Sequence, residues 1–193
     1  MKTSRLLLAA LCVALTIPCT HAMTVIPPSF DELVGEAELI FQGTVTDVKS
    51  QWIGEGAQRH IVSYVTVQVE DALKGNPGAS YTMRMLGGTV DGTTQGVADA
   101  PEFKVGDRDI LFVENNGKQF IPLVGIMHGR FKVQKNEQTG ADIVLTNEGK
   151  AVTDLGQLGK AHEESSVAVT DANAPALDAR AFKSAIKAKL AAK

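Results

Sequence analysis

Cysteine is nearly absent from this chain. Among 193 residues there are two, Cys12 and Cys19, both within the first 22. Aromatic residues make up only 5%, with a single tryptophan, Trp52. Neither sign of charge dominates, since 19 Lys and Arg stand against 22 Asp and Glu, for a formal charge of −3. So little cysteine excludes a disulfide scaffold and a cysteine metal cluster. Few aromatics without a basic excess argue against a nucleic-acid groove, which needs stacking rings and cations together. There is no Gly-x-Ser-x-Gly nucleophile elbow. His162-Glu163-Glu164 begins like a zinc-protease helix but lacks the second histidine at the required spacing. No apolar run reaches the roughly 20 residues of a spanning helix. No motif requires a cofactor, and the chain reads as a non-enzyme.

What is present begins with an export signal. Lys2 and Arg5 precede an apolar run from Leu6 to Ile17, and Pro18 to Ala22 end it with small residues before a cleavage point. Residues 1–22 are therefore expected to be a cleavable signal peptide, placing the protein in the periplasm or outside the cell. Removing 22 of the 193 residues leaves 171, and the loss of Lys2 and Arg5 takes the charge from −3 to −5. Both cysteines leave with the signal, so the exported chain must be held by packing alone.

The 44% hydrophobic content supplies one core. Ser29-Phe30-Asp31-Glu32 fits a helix capping box, with Leu33, Val34 and Ala37 as the apolar side of a short helix. Leu39 to Val48 reads as a strand in which Gly43 marks a bulge or bend. Residues 60–70 alternate, with Ile61, Ser63, Val65, Val67 and Val69 on one face. Further strands are expected at Ser80 to Leu86, Asp109 to Glu114, Lys118 to Val124, Arg130 to Lys135 and Ala141 to Thr146. Short, closely spaced strands with a helix at each end predict a mainly β fold: a small closed barrel of five to six antiparallel strands over residues 23–150. Residues 151–176 have linker composition. Residues 177–193 form an amphipathic helix with Leu177, Phe182, Ile186 and Leu190 on one stripe and five basic residues beside it. That helix either lies on a membrane surface or packs on the barrel with its lysines favoured by the dipole; the narrow stripe favours packing and gives no stable membrane anchor.

Three segments carry a family resemblance. Glu36-Ala37-Glu38-Leu39-Ile40-Phe41-Gln42-Gly43-Thr44-Val45 resembles the opening strand of the netrin-like and tissue-inhibitor-of-metalloproteinase OB folds. Residues 64–75, ending in Lys74-Gly75, resemble their next strand and its Lys-Gly turn, and Val105-Gly106-Asp107-Arg108-Asp109-Ile110-Leu111-Phe112-Val113 is similar to a glycine-led later strand. The series, with the Gly87-Gly88 loop and the terminal helix, looks like a cysteine-free exported bacterial branch. The resemblance implies an OB-like barrel that binds a protein or a ligand. It does not carry the inhibitor mechanism, in which an N-terminal cysteine chelates the protease zinc; here the expected N-terminus is Met23-Thr24-Val25-Ile26.

Two candidate sites follow. Trp52, in the polar stretch 49–59, is either an exposed partner anchor or a cap on the barrel end. The glycine-rich stretch 87–101 is either a flexible connection or a recognition loop, with Gly88, Thr89, Val90, Asp91, Gly92, Thr93, Thr94 and Gln95 as its contact residues. It lacks the Lys-Ser/Thr ending of a phosphate loop and the alternating acids of a calcium loop. His60 and His128 are candidate metal ligands if both reach the barrel mouth. The expectation is an exported, non-enzymatic module that engages another exported protein, a metallopeptidase among the candidates. The alternative is a small-molecule or metal-binding envelope protein that uses the barrel mouth.

Overall fold

In the computed structural model, residues 26–160 and 175–192 are described. The expected signal peptide, Met23 and the His162 motif lie outside them. Helix α1 spans Phe30–Glu36 and starts with the expected capping box: the Ser29 side chain accepts from the Glu32 amide while the Glu32 carboxylate accepts from the Ser29 amide. Strands follow at β1 (Leu39–Ile53), β2 (His60–Lys74), β3 (Ser80–Leu86), β4 (Gly88–Val90), β5 (Thr93–Gln95), β6 (Arg108–Val113), β7 (Arg130–Lys135) and β8 (Asp142–Thr146). Helix α2, Ala179–Ala191, closes the order with Asp178 as its N-cap.

The fold is mainly β. Six strands form one antiparallel sheet in the order β3-β2-β1-β6-β7-β8, and β4 pairs with β5 as a separate hairpin. Strand β6 and the first half of β1 lie at its centre and are buried on both faces. Successive side chains alternate across a strand, so Ile40, Ile110 and Phe112 point one way and Phe41, Leu111 and Val113 the other. The first set joins Leu33, Val34, Phe131, Val144, Phe182 and Ile186 in a core beneath the two helices. The second joins Val45, Val65, Val67, Met83, Met85, Ile121 and Leu123 on the opposite face.

Strand pairing does not close a barrel among the described residues, since β3 and β8 are the two ends of an open order. Irregular backbone fills the gap beside β3. The Leu86 amide donates to the Phe120 carbonyl (2.7 Å), the Arg84 amide donates to the Asn116 side chain (3.0 Å), and Leu123 bridges back to Val113. The strand expected from Lys118 to Val124 is not formed. Asn115 has positive φ and its carbonyl accepts from both Lys118 and Gln119, which winds the chain into a turn, and Pro122 has no amide for a ladder.

The three segments that carried the resemblance converge on the central strands. Lys74 Nζ donates to the Val34 and Gly35 carbonyls at the end of α1, and Gly75 abuts Leu39 with φ +70°. Gly106 and Asp107 exchange backbone hydrogen bonds with Val45. At Gly43 the β1–β2 register shifts, with Glu70 of β2 as the extra residue, and a Cβ there would meet Val67 Cγ1 at 2.6 Å. The extra residue of β1 itself comes three positions later, at Thr46.

The C-terminal helix packs on the sheet. Phe182 and Ile186 are fully buried, and Phe182 makes edge contacts with Phe30 and Phe112. Its lysines turn to the body of the protein, Lys183 to Asp71 and Lys189 to Asp31. Residues 151–160, read as the start of a linker, contribute to the same core through buried Val152, whose amide donates to Val144. The rest of the expected linker, 161–174, lies outside the described residues. No helix among the described residues is long and apolar enough to cross a membrane.

Candidate functional site

Strand β1 runs past the expected Val48 to Ile53, so Trp52 sits on a strand and not in a loop. The cause is its partner: β2 continues in register, with Ser50 opposite Ser63, Trp52 opposite Ile61 and Ile53 opposite His60. Cross-strand pairing overrides the polar composition of Lys49-Ser50-Gln51. Trp52 is half-buried, and the Arg59 guanidinium lies 4.3 Å from its ring centroid. Arg59 was not singled out from the sequence. The antiparallel return after a short turn is the signal that would have placed it beside the ring.

Residues 88–95 of the glycine-rich stretch form a hairpin. Asp91 (φ 49°) and Gly92 (φ 77°) are the two central residues of a tight turn joining β4 to β5, the Asp-Gly pattern that matches strand twist. Thr89 and Thr94 face each other across it, their hydroxyls 2.9 Å apart. The hairpin is fastened to the far end of β1 and β2. The Gly87 amide donates to the Ile61 carbonyl (2.8 Å), and the Ile61 amide donates to Gln95 Oε1 (2.7 Å), so both backbone groups of Ile61 are engaged. Ser63 Oγ donates to the Gly87 carbonyl, and Ser50 Oγ lies 2.8 Å from Ser63 Oγ. Gly88 rests on this serine pair; a side chain there would collide with both hydroxyls, and its φ of +137° already favours glycine. Asp91, Gly92, Thr93 and Thr94 remain exposed.

Trp52 and the Gly88 to Gln95 segment therefore share one end of the molecule, tied through Ile61. The two histidines do not share an end. His60 opens β2 opposite Ile53, the last residue of β1, with Nδ1 2.7 Å from the Gln58 carbonyl. His128 precedes Gly129, which is bonded to Phe112, and Phe112 faces Ile40 at the start of β1. Burial pushes the His128 imidazole below its ordinary value against the pull of Glu148. Burial alone would raise Glu148, but the Thr146 hydroxyl, a backbone amide, His128 and Lys150 together hold it below the usual range. No group of three or more His, Cys, Asp or Glu among the described residues is placed to hold a metal ion.

Sequence reasoning also missed a buried charge cluster. Arg130, 1% exposed, donates from Nε and a terminal nitrogen to both Asp109 oxygens at 3.0 Å, to Asp107 at 2.7 Å and to the Glu102 carbonyl at 2.6 Å. Its guanidinium stacks 4.1 Å over Phe103. Burial raises the Asp109 carboxyl to about 6 even against the attraction of Arg130. These bonds all run to the 102–109 segment, so the cluster braces that segment against β7. No family model, curated protein or solved structure matches the chain.

Proposed function

We propose that the protein is an exported, non-enzymatic binding module that engages another exported protein with the end of the molecule built from Trp52 and the β4–β5 hairpin. One observation carries this reading. The hairpin is fixed by paired bonds to Ile61 and a close seat on Ser50 and Ser63, yet its turn residues are exposed. A recognition element held rigid before contact avoids much of the ordering cost of association. Beside it, the half-buried Trp52 under Arg59 combines two residue types that concentrate binding energy.

The finer fold reading belongs with this proposal: an OB-like barrel of the netrin-like and metalloproteinase-inhibitor kind. It is supported by the β3-β2-β1-β6 order, the bulged central strand and the hydrogen bonds from residues 116–123 to β3 and β6. A peptidase is the first partner class to assay, on grounds of fold analogy.

The test is a comparison of baits in the native exported fraction, read by mass spectrometry. Wild-type protein is compared with Trp52→Ala combined with replacement of Asp91-Gly92 by a longer Gly-Ser linker. A protein retained in stoichiometric amount by wild type and lost by the folded variant supports the reading. Equal retention by both contradicts it.

A further inference from the structure

A second site lies away from that end, where the start of β8 and the first turn of α2 meet the β1–β6 face of the sheet. They enclose a groove of about 430 Å³ lined by Gln42, Arg108, Lys135, Asp142, Arg180 and Lys183. That volume is in the range of small-molecule sites. The floor is a built polar network. Gln42, 5% exposed, donates from Nε2 to Glu70 (2.8 Å), and Arg108 donates to Asp142 Oδ2 (3.2 Å) while lying 3.5 Å from Glu70. One buried acceptor in this floor is left over: Asp142 Oδ1 is shielded from solvent and has no hydrogen-bond partner among the described residues. An unsatisfied buried carboxylate oxygen is costly unless a donor reaches it.

The rim is cationic. Among the described residues Lys135 makes no ion pair, and Arg180, 88% exposed, reaches only its own helix cap, Asp178, at 3.5 Å. Lys183 is already committed to Asp71. The first turn of α2 is not itself an anion seat, because Asp178 accepts from the Arg180 amide. A bare anion would meet the rim but be repelled by the acceptor floor. A neutral polyol would satisfy the floor and leave the rim unused.

We infer that this groove binds a small carboxylate that also carries hydroxyl or ammonium donors, with its donors on the Gln42–Asp142 floor and its carboxylate at Lys135 and Arg180. The site is independent of the proposed protein-binding end.

The test is a titration followed by amide NMR, with D-glucuronate and L-glutamate as donor-bearing carboxylates, acetate as the donor-free acid and glucose as the carboxylate-free control. Either donor-bearing acid should saturably shift the amides of Ala141, Asp142 and Arg180, with acetate and glucose at least about tenfold weaker. The double variant Lys135→Ala/Arg180→Ala changes two exposed side chains, so it should stay folded and bind at least about tenfold more weakly. No saturable shift with either acid overturns the inference, as does acetate binding as well as glucuronate, or an unchanged affinity in the double variant.

Discussion

Arg130 is a residue whose loss should be costly. It satisfies Asp109, Asp107 and the Glu102 carbonyl at once, and its removal leaves a carboxylate buried without a partner. Arg130→Met should lower unfolding free energy by about 3–5 kcal/mol, the range for breaking a buried ion pair, measured by denaturant titration. Asp109 itself has a signed pH dependence. Its folded-state pKa of about 6 lies above its ordinary 3.8, so the folded state holds more proton between those values. Stability from this group is therefore greatest at acid pH and falls as pH rises through about 6. Unfolding titrations at pH 7 and pH 5 should show wild type gaining relative to Asp109→Asn at the lower pH; a relative loss there would reverse the assigned shift. Gly88→Val should free the β4–β5 hairpin without unfolding the sheet, seen as faster amide exchange at Gln95 and Ile61 with little change in the global transition.

At the scale of elements, what the sequence made legible was what local chemistry decides. The capping box at Ser29 and Glu32 and the alternation of β2 follow from a cap and a period and stand where expected. Phe182, Ile186 and Leu190 lie on α2, whereas Leu177, expected on the same stripe, precedes the Asp178 cap and bonds to Val144 and Val152. The readings that differed depended on distant partners. Trp52 looked like loop because its own segment is polar, yet β2 pairs with it. The glycine-rich stretch looked slack, although Asp91-Gly92 carried the hairpin signal within it. Arg130 and Asp109 stand 21 residues apart, and no pattern in either segment marks them as a buried pair. At the candidate site the residue types were legible and their meeting at Ile61 was not. The helix gives the clearest element-level check. Phe182→Ala removes the ring shared by Phe30, Phe112 and Phe131 and should cost about 3–5 kcal/mol by thermal or denaturant unfolding.

For the whole molecule, the sheet serves different purposes along its length. Its centre carries cores on both faces, one beneath the helices and one facing the β3 side. The far end of β1 and β2 extends beyond β6 and carries the hairpin and Trp52. Under the proposed reading, this extension from a doubly packed centre presents the binding surface. The most direct test is photo-crosslinking in cells that make the protein, with a benzophenone amino acid placed at Thr93 in one version and at exposed Lys150 in another. A discrete adduct with one protein from Thr93, absent from Lys150, is the expected result. The same adducts from both positions, or none from Thr93 in folded protein, would contradict a partner at the hairpin end.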